Sequence, residues 1–153
     1  MKRFLASGFG VGLFWKTYFG DKKGGGTLAS FLFALITYVF NLNVLELSIL
    51  FIILVLTYLF SVDDNEANDD PSWITLDEIV GMSLVTIASP SRLLPLLAGF
   101  LVFRLSDIMK QPKFVAELEK HPGKLGVLYD DLVAGLMGLL SATVVNQIIN
   151  LTL

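Results

Sequence analysis

Apolar residues in this chain arrive in long blocks rather than in alternation or in a one-sided stripe. Five blocks stand out, at positions 27–40, 44–62, 77–88, 93–110 and 131–153. Polar or helix-breaking residues separate them: the run Gly24-Gly25-Gly26, "NLN" at 41–43, an acidic stretch before position 71, and the turn "SPSR" at 89–92. Glycine, proline and asparagine clusters of this kind mark turns. Pro95 falls in the first turn of the fourth block, where a proline is tolerated. Block lengths and residue types predict helices throughout, without the amphipathic period of a surface helix. A membrane-spanning helix needs about 20 residues. Blocks 44–62 and 131–153 reach that length, and blocks 27–40 and 77–88 fall short of it. The pattern therefore predicts an all-α fold: a polytopic membrane helical bundle of four to five apolar helices, formed by residues 1–153 as one domain.

Composition strengthens this expectation. Hydrophobic residues make up 54% of the chain and mean hydropathy is +0.71, well above the usual soluble domain. The N-terminal stretch lacks the long apolar core and cleavage site of a removable signal. Cysteine is absent, which excludes disulfides, thiolate metal sites and a cysteine nucleophile. The single histidine, His121, excludes a site built on two imidazoles. A net charge of −3 calls for no nucleic acid partner.

The distribution of charge is more informative than its sum. Lys2, Arg3, Lys16, Lys22 and Lys23 precede the first block, and Arg104, Lys110, Lys113, Lys120 and Lys124 lie between the end of the fourth block and the fifth. Only Arg92 stands in the opposite turn. Basic loops stay on the cytoplasmic side. This predicts a cytoplasmic N-terminus, two hairpins, an external C-terminus and a site facing the cytoplasm. Almost every ionisable group then collects at one membrane face, with Glu46 and Arg92 at the other.

Two carboxylate pairs raise the chemical question. Asp77-Glu78 and Asp130-Asp131 each stand where an apolar helix is expected to begin. Acids at a helix start gain about 0.3–1 kcal/mol each from the helix dipole, and that suffices for either pair alone. It leaves "FRLSDIMK" unexplained, where Arg104, Asp107 and Lys110 follow at spacings of three. Cations at a helix end can snorkel to lipid headgroups, yet Arg104 directly follows the apolar "GFLVF". Ionisable groups at membrane depth are costly and functional by default. Asp131, Gly135, Gly138 and Ala142 share one helical face, as do Asp77 and Gly81, so small residues let a neighbouring helix approach beside each acid. Converging carboxylates without His or Cys favour a hard cation such as Mg²⁺, and Arg and Lys beside it would hold a phosphate. The combination points to metal-assisted attack of water on a membrane-resident phosphate. The glycine run before Thr27 offers either backbone N–H groups to that phosphate or a linker. The alternative is a small cation-conducting or structural membrane protein, for which acids should line a path at several depths instead of clustering at one face.

Four blocks in order resemble the phosphatidylglycerophosphatase A family of bacterial membrane phosphatases. They are "SGFGVGL" at 7–13, "DDPSWITLDEIVGM" at 69–82, "FRLSDIMK" at 103–110 and "GVLYDDLVAG" at 126–135. The resemblance implies a Mg²⁺-dependent phosphoric monoester hydrolase of the bacterial cytoplasmic membrane. Its reaction would convert the lipid phosphatidylglycerophosphate to phosphatidylglycerol in phospholipid biosynthesis. Carried over by position, it implies a site of Asp77, Glu78, Asp107, Asp130 and Asp131, with Arg104, Lys110 and Thr27 on the phosphate. Asp77, Glu78, Asp130 and Asp131 would be the metal ligands. The chain departs from the family pattern in two places. "GGGTLAS" stands where a proline-containing P-G-T-x-G-S is usual, after a longer "FWKTYFGDKK", and "KQPK" replaces K-P-W-P.

Overall fold

The computed structural model describes residues 1–68, 71–110 and 123–152. Among them every regular element is a helix: α1 (Lys2–Ala6), α2 (Val11–Phe19), α3 (Gly25–Val39), α4 (Val44–Ser61), α5 (Asp64–Ala67), α6 (Leu76–Ala88), α7 (Leu93–Met109) and α8 (Lys124–Thr152). The five apolar blocks are α3, α4, α6, α7 and α8. The short helices α1, α2 and α5 lie between or before them and are too brief to show as blocks. Among the described residues two helices, α4 and α8, are long and apolar enough to cross a membrane. At 15, 13 and 17 residues, α3, α6 and α7 are shorter.

One boundary differs from expectation in a way that matters for the site. The fifth helix begins at Lys124, not near position 131. Its early turns are stabilised from outside, because Asp64 Oδ1 accepts the Lys124 N–H at 3.1 Å and Asn68 Oδ1 accepts the Gly123 N–H at 2.7 Å. The Tyr58 hydroxyl donates to the Lys124 carbonyl at 2.8 Å, and Lys124 Nζ donates to the Leu59 carbonyl at 2.9 Å. These groups satisfy backbone that a helix start would otherwise leave unpaired. Asp130 and Asp131 are thus inside α8, more than a turn from its beginning.

α6 is the centre of the bundle. Leu76, Val80, Met82 and Val85 are wholly buried, and the helix packs against α3, α4, α7 and α8. α8 lies against both α6 and α7, at distances that only small residues permit. A methyl group added to Gly138 would stand 2.7 Å from the Gly99 carbonyl oxygen, and Gly135 meets the backbone of Gly81 in the same way. Ala142 continues this face, fully buried. The small-residue stripe of α8 therefore faces protein, as its spacing predicted. The outer faces carry exposed Ile52, Leu56 and Phe60 on α4, and Leu140, Val144 and Ile148 on α8. So broad an apolar exterior marks a surface meant for a nonpolar surrounding.

The two ends of the bundle differ in chemistry. At one end Asn43 and Glu46 form a reciprocal capping box at the start of α4, and Arg92 donates to Asn146 Oδ1 at 2.5 Å and Asn150 Oδ1 at 2.6 Å. α4, with 18 residues, carries the chain about 27 Å to the opposite end. There the N-terminal segment folds over the approach to α6. The Thr75 N–H donates to the Ala6 carbonyl at 3.1 Å. Gly12 is pressed against the Trp73 carbonyl with no room for a side chain. Arg3 pairs with Glu66 at 2.9 Å and lies over the Trp73 ring. The first glycine block thus fixes the loop that launches Asp77 and Glu78.

Candidate active site

Asp77 and Glu78 occupy the first turn of α6. Thr75, the residue before that turn, makes no side-chain capping bond. The acids gain from the helix dipole but point into the molecule, and Asp77 is only 3% exposed. Glu78 reaches across to the start of α3, where its carboxylate lies directly against Gly26 and would collide with any side chain there. The glycine run does more than break a helix: it makes room for an acid.

α7 contributes the cations. Arg104 and Asp107, one turn apart and both buried, form an ion pair at 2.9 Å. Lys110 ends the helix in the left-handed conformation, at φ 50°. That turn brings its amine back to 3.5 Å from Asp107 Oδ1 and into a hydrogen-bonded ion pair with Asp130. Asp107 thus sits between Arg104 and Lys110 and positions both. On α8, Asp130 and Asp131 are buried. Because they lie within the helix and not at its N-terminus, neither capping nor the dipole of an end turn explains them.

All these groups line one cleft of about 770 Å³, together with Thr27 and the glycines at 24–26. Volumes of about 300–1,000 Å³ are typical of sites for whole small molecules. The structure brings the eight residues expected from the sequence to this one place, whereas Gln111–Phe114 and His121 lie outside the described residues. Asp77, Glu78, Asp107, Asp130 and Asp131 line the cleft together with Arg104 and Lys110. Glu78 Oε2 and Asp131 Oδ1 are buried with no hydrogen-bond partner among the described residues. Burying ionised oxygens unsatisfied is expensive, and a cation or a proton at these oxygens relieves the cost. Among the described residues no group of three acids is placed to hold one metal ion together. The site suits a cation that takes one or two carboxylates and completes its shell with water and phosphate oxygens. With an arginine at the same centre, the chemistry available is recognition and hydrolysis of a phosphate ester.

The family profile described as phosphatidylglycerophosphatase A matches residues 4–146. The chain belongs to that family. A protein of Bacteroides thetaiotaomicron named "Putative phosphatidylinositol-3-phosphatase" is 26% identical over 152 residues, covering 95% of this chain and 93% of that protein. No solved structure matches. Membership of the phosphatidylglycerophosphatase A family makes this chain a lipid phosphatase of the membrane. Sequence reasoning missed Asp21 and Lys23 as cleft residues and Gly26 as the seat of Glu78. The glycine run was a visible signal for Gly26, since close approach of a buried group is one of the uses of glycine. Nothing in the spacing marked Asp21 or Lys23.

Proposed function

We propose that this phosphatidylglycerophosphatase A family member is a Mg²⁺-dependent phosphatase that releases the terminal phosphate of phosphatidylglycerophosphate at the cytoplasmic membrane face, yielding phosphatidylglycerol. The observation that carries this reading is the cleft itself, which gathers Asp77, Glu78, Asp107, Asp130 and Asp131 with Arg104 and Lys110 at one end of an apolar bundle. One or two of Asp77, Glu78 and Asp131 would hold the metal, while Asp130 is turned to Lys110. When bound, Mg²⁺ supplies Lewis-acid polarisation of the phosphoryl group and acidifies a water molecule. Arg104 offers a planar fork to the phosphate oxygens, and its pairing with Asp107 fixes the direction of that fork. Lys110, held by Asp107 and Asp130, adds a second positive charge beside it. Water attacks phosphorus, the ester P–O bond breaks, and the glycerol oxygen leaves with a proton. Glu78 Oε2 and Asp131 Oδ1 are buried carboxylate oxygens with no hydrogen-bond partner among the described residues, and in this reading one of them takes the proton of the attacking water. The N-terminal turn of α3, where Gly25, Gly26 and Thr27 line the cleft, would offer backbone N–H groups to the phosphate.

A second reading rests on the name of the Bacteroides relative: a phosphate monoester on an inositol ring in place of glycerol. The test is phosphate release by purified protein from synthetic phosphatidylglycerophosphate and from phosphatidylinositol 3-phosphate, with Mg²⁺ and with a chelator. Mg²⁺-dependent release from the first at the higher kcat/KM is expected. Preference for the second would move the substrate to inositol lipids. Release from neither would overturn the reading.

A further inference from the structure

The loop after α2 contributes Asp21 and Lys23 to the cleft wall, and the reaction as described does not use them. α2 exposes Phe14, Tyr18 and Phe19. Aromatic side chains of this kind settle at the headgroup level of a membrane. The loop that follows is anchored. Trp15 stacks on Phe19 with ring centroids 4.4 Å apart and donates its indole N–H to the Lys22 carbonyl at 2.8 Å. Gly24, at φ 143°, lies so close that an added methyl would stand 3.1 Å from the Trp15 ring atom Cη2. Lys23 is held between these two fixed points and lines the cleft. Arg104 and Lys110 are occupied by Asp107 and Asp130, and Lys16 pairs with Asp21 at 3.3 Å. Lys23 is the cleft-lining cation with no ion-pair partner among the described residues.

A lipid that carries a terminal phosphate on its headgroup has a second phosphate, the diester joining headgroup to diacylglycerol. That diester lies nearer the bilayer than the monoester does. We propose that Lys23, on its tryptophan-anchored loop, binds this diester phosphate and so selects lipids that carry both phosphates over lipids with a monoester alone. The inference rests on the phosphatase reading above and adds a specificity residue to it. A lysine suits the task, because a diester presents a single diffuse charge that a point charge satisfies without a bidentate fork. The cleft is large enough for a whole headgroup. Both substrates considered above contain the diester, so the inference holds for either.

The experiment compares wild type, Lys23→Ala and Lys23→Arg in neutral detergent micelles, which remove any attraction to an anionic surface. Two constants are measured: KM for phosphatidylglycerophosphate, and the inhibition constant of phosphatidic acid. Phosphatidic acid carries a monoester without a separate diester and competes whether or not it is turned over. The expected result for Lys23→Ala is a KM raised about tenfold, with the inhibition constant moved less than about twofold and KM restored in Lys23→Arg. An equal rise in both constants would place Lys23 at the monoester, and no rise in either would remove it from the substrate; each overturns the proposal. If wild type releases phosphate from phosphatidylinositol 3-phosphate alone, the substrate assignment fails but the same comparison is run with that lipid.

Discussion

Gly81→Ala tests the link between helix packing and chemistry. Gly81 lies one turn after Asp77 on α6, at the crossing with α8. A β-carbon at this position would stand 2.6 Å from the carbonyl oxygen of Asp131 and 2.7 Å from Phe103 Cε2. Ordinary contact begins at 3.4 Å, so relief requires a movement of about 0.8 Å. Phe103 is wholly buried and the Asp131 carbonyl is helix backbone, so neither yields easily. The helices must separate, and the acids they carry separate with them. Overpacking costs about 1–3 kcal/mol, while replacing glycine by alanine in a helix returns about 1 kcal/mol. Net destabilisation is therefore small, about 0–2 kcal/mol. Activity is the sensitive quantity, since a displacement near 1 Å at a reacting centre can lower rates about a hundredfold. The assay is phosphate release from detergent-solubilised protein alongside its thermal unfolding. Turnover within twofold of wild type would refute the argument that this crossing sets the distance between Asp77 and Asp131.

Other predictions follow from the same geometry. Arg104→Lys keeps the charge and loses the fork, so it should cost about 1.5–3 kcal/mol of transition-state binding, or about ten- to a hundredfold in kcat/KM, with the protein still folded; unchanged kinetics would return Arg104 to a purely structural pair with Asp107. Asp77→Asn removes mutual repulsion among the buried acids, so its melting temperature without metal should equal or exceed that of wild type. Mg²⁺ should raise the melting temperature of wild type but not of Asp77→Asn, and an equal rise in both would take Asp77 out of the metal shell. A reporter active only outside the cytoplasm should give signal when fused after Leu153 and none when fused near Asn68; signal at Asn68 would invert the topology.

Much of the fold and part of the site were legible in the sequence. Apolar blocks identified α3, α4, α6, α7 and α8 because burial among helices or in lipid needs no other signal. The small-residue face at Gly135, Gly138 and Ala142 revealed which side of α8 meets protein. Residue chemistry and motif order were enough to group Asp77, Glu78, Arg104, Asp107, Lys110, Asp130 and Asp131. The start of α8 was not legible, because its stabilising partners, Asp64 and Asn68, are more than fifty positions away. A helix start placed near position 131 hides the point that Asp130 and Asp131 sit inside a helix, where a capping role is closed to them. The seat of Glu78 against Gly26 was equally hidden, since it depends on how α3 and α6 approach each other and not on either segment alone.

The central claim is that the buried acids of α6 and α8 act as a metal-dependent phosphatase centre. Its most direct test is phosphate release from phosphatidylglycerophosphate as Mg²⁺ is titrated, with wild type and Asp131→Asn side by side. An amide in place of Asp131 preserves size and removes one negative oxygen from a hard cation. The account predicts saturable Mg²⁺-dependent release by wild type and none above background by Asp131→Asn, at equal folded content. Normal release by Asp131→Asn, with the Mg²⁺ dependence of wild type, would contradict it.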